Sequence, residues 1–393
     1  MLIADPTSLS ELVATLRTAG QFAIDTEFVR EKTYRPQLCL VQVATKDTEV
    51  LIDPFAVGDL APLTELICDP AVEKIAHAGE QDMEIFYVLA KTAPRNVFDT
   101  QIAAALAGYG QQISYGKLVA RLTGTQLRKV ETFTDWARRP LTDAQLKYAI
   151  DDVRYLILMR ERLGSELGEL GREDWLRDEL LQYEQISLYE KQLDQLYRKV
   201  KGAGKLKRSE LAILRALASW REHEAARMDW PRGHVIRDEL LVELARRAPT
   251  TPAAIRSIRG IHPRMVERCG KAVVREVQGA LELPPEEHPP MLETGRPEDD
   301  LALVVDLLEI VVKTQAEKQR IAAPYLGTRK DLTQLARMFL LNRQSPATAP
   351  GILSGWRQRL VGDALVDLLE GRSTLSIDAE TARVKVSPIE PRP

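Results

Sequence analysis

Strand signals stop at about residue 141 of this 393-residue chain, and the rest reads as helix. Any sheet must therefore be completed within the first ~160 residues, with helices alone to fill the remainder. "FAIDTEFV", "LCLVQVAT" and "EVLIDP" are short apolar runs separated by turns, at the spacing of an antiparallel meander. "VEKIAHAG" and "NVFDT" read as a fourth and a fifth strand, each followed by a helical stretch, "EQDMEIFYVLAK" and "QIAAALAGYG". Strands joined through helices pair in parallel. The expectation is an α/β N-terminal domain with a mixed sheet flanked by helices, followed by two small all-α domains.

The later boundaries come from breaks in the helical pattern. The α/β domain is expected over 1–168 and a helical connector over 169–208, ending in the basic, glycine-containing break "KGAGKLKR". A first helical domain is expected over 209–283. The proline- and acid-rich "PPEEHPPMLETGRPEDD" makes 284–300 a linker. A second helical domain is expected over 301–375, and a disordered tail over 376–393.

Composition excludes several classes. Hydrophobic residues are 45% and charged residues 28%, ordinary for a water-soluble globular chain. No apolar run reaches the ~18 residues of a membrane helix, and "MLIADPTSLSELV" lacks the pattern of a signal peptide. Cys39, Cys68 and Cys269 are far apart and form no CxxC pair, which argues against a disulfide framework or a cysteine zinc site and for a reducing cytoplasm. The net charge of −3 and pI of about 6.1 confine any nucleic-acid binding to local patches.

Five residues stand out as chemistry. In "QFAIDTEFVRE" the period-two rule puts Asp25 and Glu27 on one face of a strand that otherwise buries Phe22 and Ile24. Asp82 lies in "HAGEQDMEIFY", in the first turn of a helix, where an acid also simply favours the helix dipole. In "LKYAIDDVRYL" the residues Leu146, Ala149, Ile150, Val153 and Ile157 form one helical stripe. Tyr148 and Asp152 flank that stripe, and Asp151 points away from it. Each position alone also reads as an exposed acid or a boundary aromatic.

Together "DTE", "HAGEQD" and "YAIDD" resemble, in order and spacing, the three motifs of the DEDD superfamily of 3′–5′ exonucleases. Tyr148 stands four residues before Asp152, as in the tyrosine subclass; the histidine subclass would need His at the position of Lys147. "TYRPQLCLVQVAT" and "SYGKLVARLTGTQLRKVETFTDWARRPL" narrow the resemblance to the ribonuclease D family. "VIRDELLVELARRAPTTPAAIRSIRGI" resembles a helicase-and-RNase-D C-terminal (HRDC) domain, and the block with "YLGTRKDLTQLARMFLLN" resembles a divergent second copy.

The resemblance implies a ribonuclease H-like sheet and a metal-dependent exoribonuclease that releases nucleoside 5′-monophosphates. It implies that Asp25, Glu27, Asp82 and Asp152 hold two divalent cations, Mg²⁺ or Mn²⁺, and that Tyr148 orients the attacking water. Carboxylates suit this chemistry because Mg²⁺ takes hard oxygen ligands. His77 and Gln81, beside the second motif, and Lys129, Arg138 and Arg139 are candidate RNA contacts, equally readable as strand-end, helical and solvated surface residues. Asp53 and Asp99 read as turn and cap residues. The expected partner is RNA with a free 3′ end, tRNA precursors in particular, with no membrane and no obligate protein partner. The acids cannot read a 2′-OH, so a DNA exonuclease stays open on the site alone. A non-catalytic RNA-binding scaffold is the alternative from another class.

Overall fold

Strand β1 (Leu2–Ile3) and helix α1 (Pro6–Ala19) precede the first strand read from the sequence. β1 carries no signal of its own because two residues cannot display a period of two. α1 has clear local causes once seen. The Asp5 carboxylate accepts from Ser8 N at 2.9 Å, Pro6 opens the helix, and Gly20 closes it at φ +70°. Leu9, Leu12, Val13 and Leu16 are its buried stripe.

The computed structural model describes residues 1–127, 135–292, 299–340 and 351–389. After α1 come β2 (Gln21–Val29), β3 (Gln37–Ala44), β4 (Glu49–Ile52), α2 (Pro54–Val57) and α3 (Ala61–Ile67). Next are β5 (Glu73–Ala76), α4 (Glu80–Ala90), β6 (Val97–Asp99), α5 (Thr100–Ala107) and α6 (Tyr115–Thr123). α7 (Asp143–Arg154), α8 (Leu156–Glu169) and α9 (Glu173–Leu180) complete this part. The strands form one mixed sheet in the order β1-β4-β3-β2-β5-β6. β3 and β4 are antiparallel, whereas β2, β5 and β6 run parallel in turn. Phe22, Ile24, Leu40, Val41 and Ile75 are buried almost completely, as expected of a sheet covered on both faces.

The chain forms two compact units that do not follow chain order. The first comprises Met1–Thr26, Leu40–Gln185 and Arg296–Pro393, and the second Glu27–Cys39 and Ile186–Gly295. The second unit is helical: α10 (Ile186–Tyr189), α11 (Arg208–Met228), α12 (Arg232–Val235), α13 (Asp238–Arg247), α14 (Pro252–Arg256) and α15 (Pro263–Leu281). Leu211, Leu214, Leu241, Leu244, Val273 and Val277 form its core. Buried Glu222 takes Lys191 at 2.9 Å, Arg232 at 2.8 Å and the Tyr34 hydroxyl at 2.7 Å.

The C-terminal elements are α16 (Asp299–Gln319), α17 (Ala323–Leu326), α18 (Arg329–Leu340), α19 (Gly355–Arg357), α20 (Asp363–Leu369), β7 (Ser373–Asp378) and β8 (Arg383–Pro388). The sequence predicts a separate domain over 301–375, but these helices belong to the first unit. Arg172 donates to Leu106 O and Gln319 O, both at 2.5 Å. Arg357 grips Glu179 at 2.6 and 2.8 Å, and Trp356 stacks on Trp175 with centroids 4.9 Å apart. Gly108, at φ +99°, admits the Arg320 carbonyl where a Cβ would come within 2.5 Å of its oxygen. None of these partners is near in sequence, so a local reading divides the chain at the linker instead.

The tail expected to be disordered over 376–393 instead forms the β7–β8 hairpin, with Leu375 opposite Val386 and Ile377 opposite Val384. The Asp378 carboxylate accepts from Glu380 N and Thr381 N, at 2.9 and 3.2 Å, to build the turn. Residues 390–393 lie outside the described residues. Among the described residues no helix is long and apolar enough to cross a membrane.

Candidate active site

β2 pairs with β5 from Gln21↔Glu73 to Ala23↔Ile75, so Asp25 falls just past that pairing, towards the carboxyl end of the strand. Ligand sites of open α/β sheets lie at the carboxyl ends of parallel strands. Asp25 is half-buried there, after the fully buried Phe22, Ala23 and Ile24. Glu27 lies two residues later on the same face, where the chain passes into the second unit.

Asp82 is delivered by the turn between β5 and α4. Ala78 there has φ +56°, and a Cβ on Gly79 would meet the Ala76 side chain at 2.7 Å, so the turn is tight. The Asp99 carboxylate holds it, accepting from Ala78 N at 3.1 Å and Gly79 N at 3.0 Å. It also caps α5 through Gln101 N at 2.7 Å and takes the Tyr183 hydroxyl at 2.6 Å. The sequence identifies Asp99 as a cap but not as the support of the second motif. Asp82 itself is buried and accepts a hydrogen bond from the Thr26 hydroxyl. Burial pushes its carboxyl up to about 6, with Thr26 pulling down and the Asp99 charge adding to the rise.

Asp152 and Tyr148 sit on α7, which a capping box of Thr142 and Gln145 opens. Ala149 and Val153 form the buried stripe, and Asp151 is turned outward to Arg154 at 2.5 Å. Burial raises the Asp152 carboxyl to about 7, the hydrogen bond from Tyr148 lowers it, and the Asp151 charge raises it. Trp136 lies beside the Tyr148 ring, with centroids 6.1 Å apart. The segment carrying Trp136 is fastened by Arg139, which donates to Trp136 O at 2.7 Å and grips Asp53 at 2.7 and 2.9 Å. The guanidinium of Arg139 also lies over the Phe55 ring.

Tyr115 joins the parts. Its hydroxyl donates to Asp151 O at 2.7 Å and accepts from Tyr155 N at 3.3 Å, fixing the break between α7 and α8. Burial raises this phenol strongly, and the negative charges of both Asp152 and Asp25 add to the rise. Asp25 from β2 and Asp152 from α7 therefore bear on one hydroxyl, while Thr26, next to Asp25, holds Asp82. Among the described residues, no three His, Cys, Asp or Glu side chains gather closely enough to hold one ion. The donor chemistry nevertheless fits hard divalent cations. The acids offer only carboxylate oxygen, and no cationic side chain figures in the shifts of Asp82 or Asp152.

Of the other sequence candidates, His77 packs edge-on against Tyr115, with ring centroids 5.7 Å apart. His77 is engaged at both nitrogens, Nδ1 with Thr100 Oγ1 at 2.9 Å and Nε2 with Ile113 O at 3.0 Å. Burial lowers its pKa, and the two bonds clamp the ring in the fold. Gln81 and Arg138 are exposed, Arg139 is spent on Asp53, and Lys129 lies outside the described residues. Sequence reasoning missed Thr26, Tyr115 and Trp136. All three stand inside quoted motifs, but nothing local says which neighbours they reach.

Comparison with known proteins identifies both domains. A 3′–5′ exonuclease family model matches residues 1–168, and an HRDC domain model matches residues 210–277. A ribonuclease D of Sphingobium indicum is 39% identical over 393 residues, covering 98% of this chain and 98% of its own. A ribonuclease D of Gluconacetobacter diazotrophicus is 37% identical, covering 99% and 97%. The crystal structure of Escherichia coli RNase D, described as an exoribonuclease involved in structured RNA processing, superposes with a TM-score of 0.82. It is 30% identical and covers 94% of this chain and 98% of that one.

Proposed function

The chain belongs to the ribonuclease D family of 3′–5′ exoribonucleases, and on that premise we propose that it trims structured RNA at Asp25, Glu27, Asp82, Asp152 and Tyr148. The substrates we infer are tRNA precursors with a free 3′ end, and the products are nucleoside 5′-monophosphates. The family is generally metal-dependent, and the four carboxylates are the residues that would hold two ions, Mg²⁺ or Mn²⁺. Bound there, such ions supply an activated water and relieve charge on the departing 3′ oxygen.

The chain's own groups do the positioning. The Tyr148 phenol, hydrogen-bonded to Asp152, is set to orient the attacking water. Thr26 aims Asp82, and Tyr115 holds the end of α7 so that Asp152 faces the strand end. The observation that carries the reading is the Thr26 hydroxyl, next to Asp25 on β2, donating to the buried Asp82 carboxylate, which brings the first two motifs together.

The test is a 5′-labelled oligoribonucleotide incubated with the full chain and Mg²⁺ or Mn²⁺. Stepwise shortening from the 3′ end with release of 5′-monophosphates is expected. Full activity in Asp25→Ala would defeat the site, and a matched oligodeoxyribonucleotide degraded as fast as RNA would defeat the RNA assignment.

A further inference from the structure

Tyr148 and Asp152 line a cavity of about 1510 Å³ that is also lined by α6. Cavities for a single small ligand run to roughly 300–1,000 Å³, so this one has room for more than a terminal nucleotide. Three exposed cations line it: Lys117 and Arg121 on α6, and Lys147 on α7 beside Tyr148. Lys117 and Arg121 are four residues apart on one helix, hence on the same face and roughly 6 Å apart along its axis.

None of these three has an acid partner among the described residues. In the first unit Arg17 pairs with Asp69, Lys46 with Glu161, Arg95 with Glu184, Arg139 with Asp53 and Arg160 with Glu73. Arg154, a fourth cation of the cavity, is held by Glu49 and Asp151. Among the described residues, Lys117, Arg121 and Lys147 form no ion pair. Three uncompensated charges in a groove that Tyr148 and Asp152 also line ask for a polyanion.

We propose that this cavity is the track for the single-stranded 3′ segment of the RNA, with Lys117, Arg121 and Lys147 meeting the phosphates upstream of the terminal nucleotide. The inference rests on the reading that Tyr148 and Asp152 attend the scissile bond. Contacts to phosphates fix register and carry no sequence information, so the track serves any 3′ end that is single-stranded.

The experiment compares the full chain with its Lys117→Gln/Arg121→Gln/Lys147→Gln variant. Binding of a fluorescent single-stranded octaribonucleotide is measured in chelator against salt concentration, and hydrolysis of a diribonucleotide is measured with Mg²⁺. Each phosphate contact on a single strand contributes about 0.7 to the slope of log K against log salt, so losing three lowers it by about 2. At physiological salt the octanucleotide should bind at least about tenfold more weakly. The diribonucleotide, too short to reach along the track, should be hydrolysed at the parent rate. An unchanged salt slope overturns the track, and so does a diribonucleotide rate that falls as far as octanucleotide binding. The underlying site is judged separately: Asp25→Ala with parent turnover defeats that reading, whereas the salt slope judges the groove.

Discussion

Replacing Asp152 with Asn tests whether this carboxylate is crowded in the protein alone. Its carboxyl is raised by burial from 3.8 to about 7. At about 1.4 kcal/mol per unit this is about 4 kcal/mol of preference for the neutral form. Asp152 keeps some contact with solvent, and screening reduces the figure to about 2 kcal/mol. The sign comes from proton counting. Between 3.8 and 7 the folded chain binds the proton that the unfolded chain has lost, so the stability from this group is full below 3.8 and gone above 7. Asn keeps an oxygen for Tyr148 and carries no charge. In chelator at pH 8, Asp152→Asn should therefore melt above the parent by about 2–4 °C in scanning calorimetry. The gap should shrink steadily as pH falls from about 7 towards about 4. Mg²⁺ should raise the parent more than the variant and close the gap at pH 8. A variant that melts at or below the parent at pH 8, or a gap independent of pH, would refute the reasoning.

Tyr148→Phe should lower kcat by about 10- to 100-fold with little change in KM, read in steady-state hydrolysis of a short oligoribonucleotide. Arg139→Gln loosens the segment that presses Trp136 against Tyr148, so kcat should fall several-fold alone but not further in a Tyr148→Phe background, a coupling that a double-mutant cycle reads directly. Arg357→Ala leaves half-buried Glu179 with the Trp356 indole N–H but no cation, and calorimetry should show a loss of about 2 kcal/mol, with turnover at room temperature unchanged. Chelation should abolish exonuclease activity, and added Mg²⁺ or Mn²⁺ should restore it.

The strands and acids were legible because their signals are local. A period of two shows in "QFAIDTEFV", a period of 3.6 singles out Asp152 over Asp151, and the order of three motifs carries the family. Asp53 and Asp99 read correctly as turn and cap residues for the same reason, since each cap is made within three positions along the chain. Arg139 could not be read this way. As a basic residue it suits a phosphate, but folding supplies Asp53 from a distant turn. The division into units was equally hidden. A cut after Val200, natural from the sequence, would strip the first unit of α16 to β8 and of the Arg357–Glu179 and Trp356–Trp175 contacts.

Alternation and helical period thus settle which side chains share a face, because they depend on neighbours a few residues away. Which faces meet is another matter: that Tyr115 reaches the end of α7, that Thr26 holds Asp82, and that three cations keep no acid emerges only when distant segments pack. Such pairings depend on long-range closure, for which adjacent residues carry no signal.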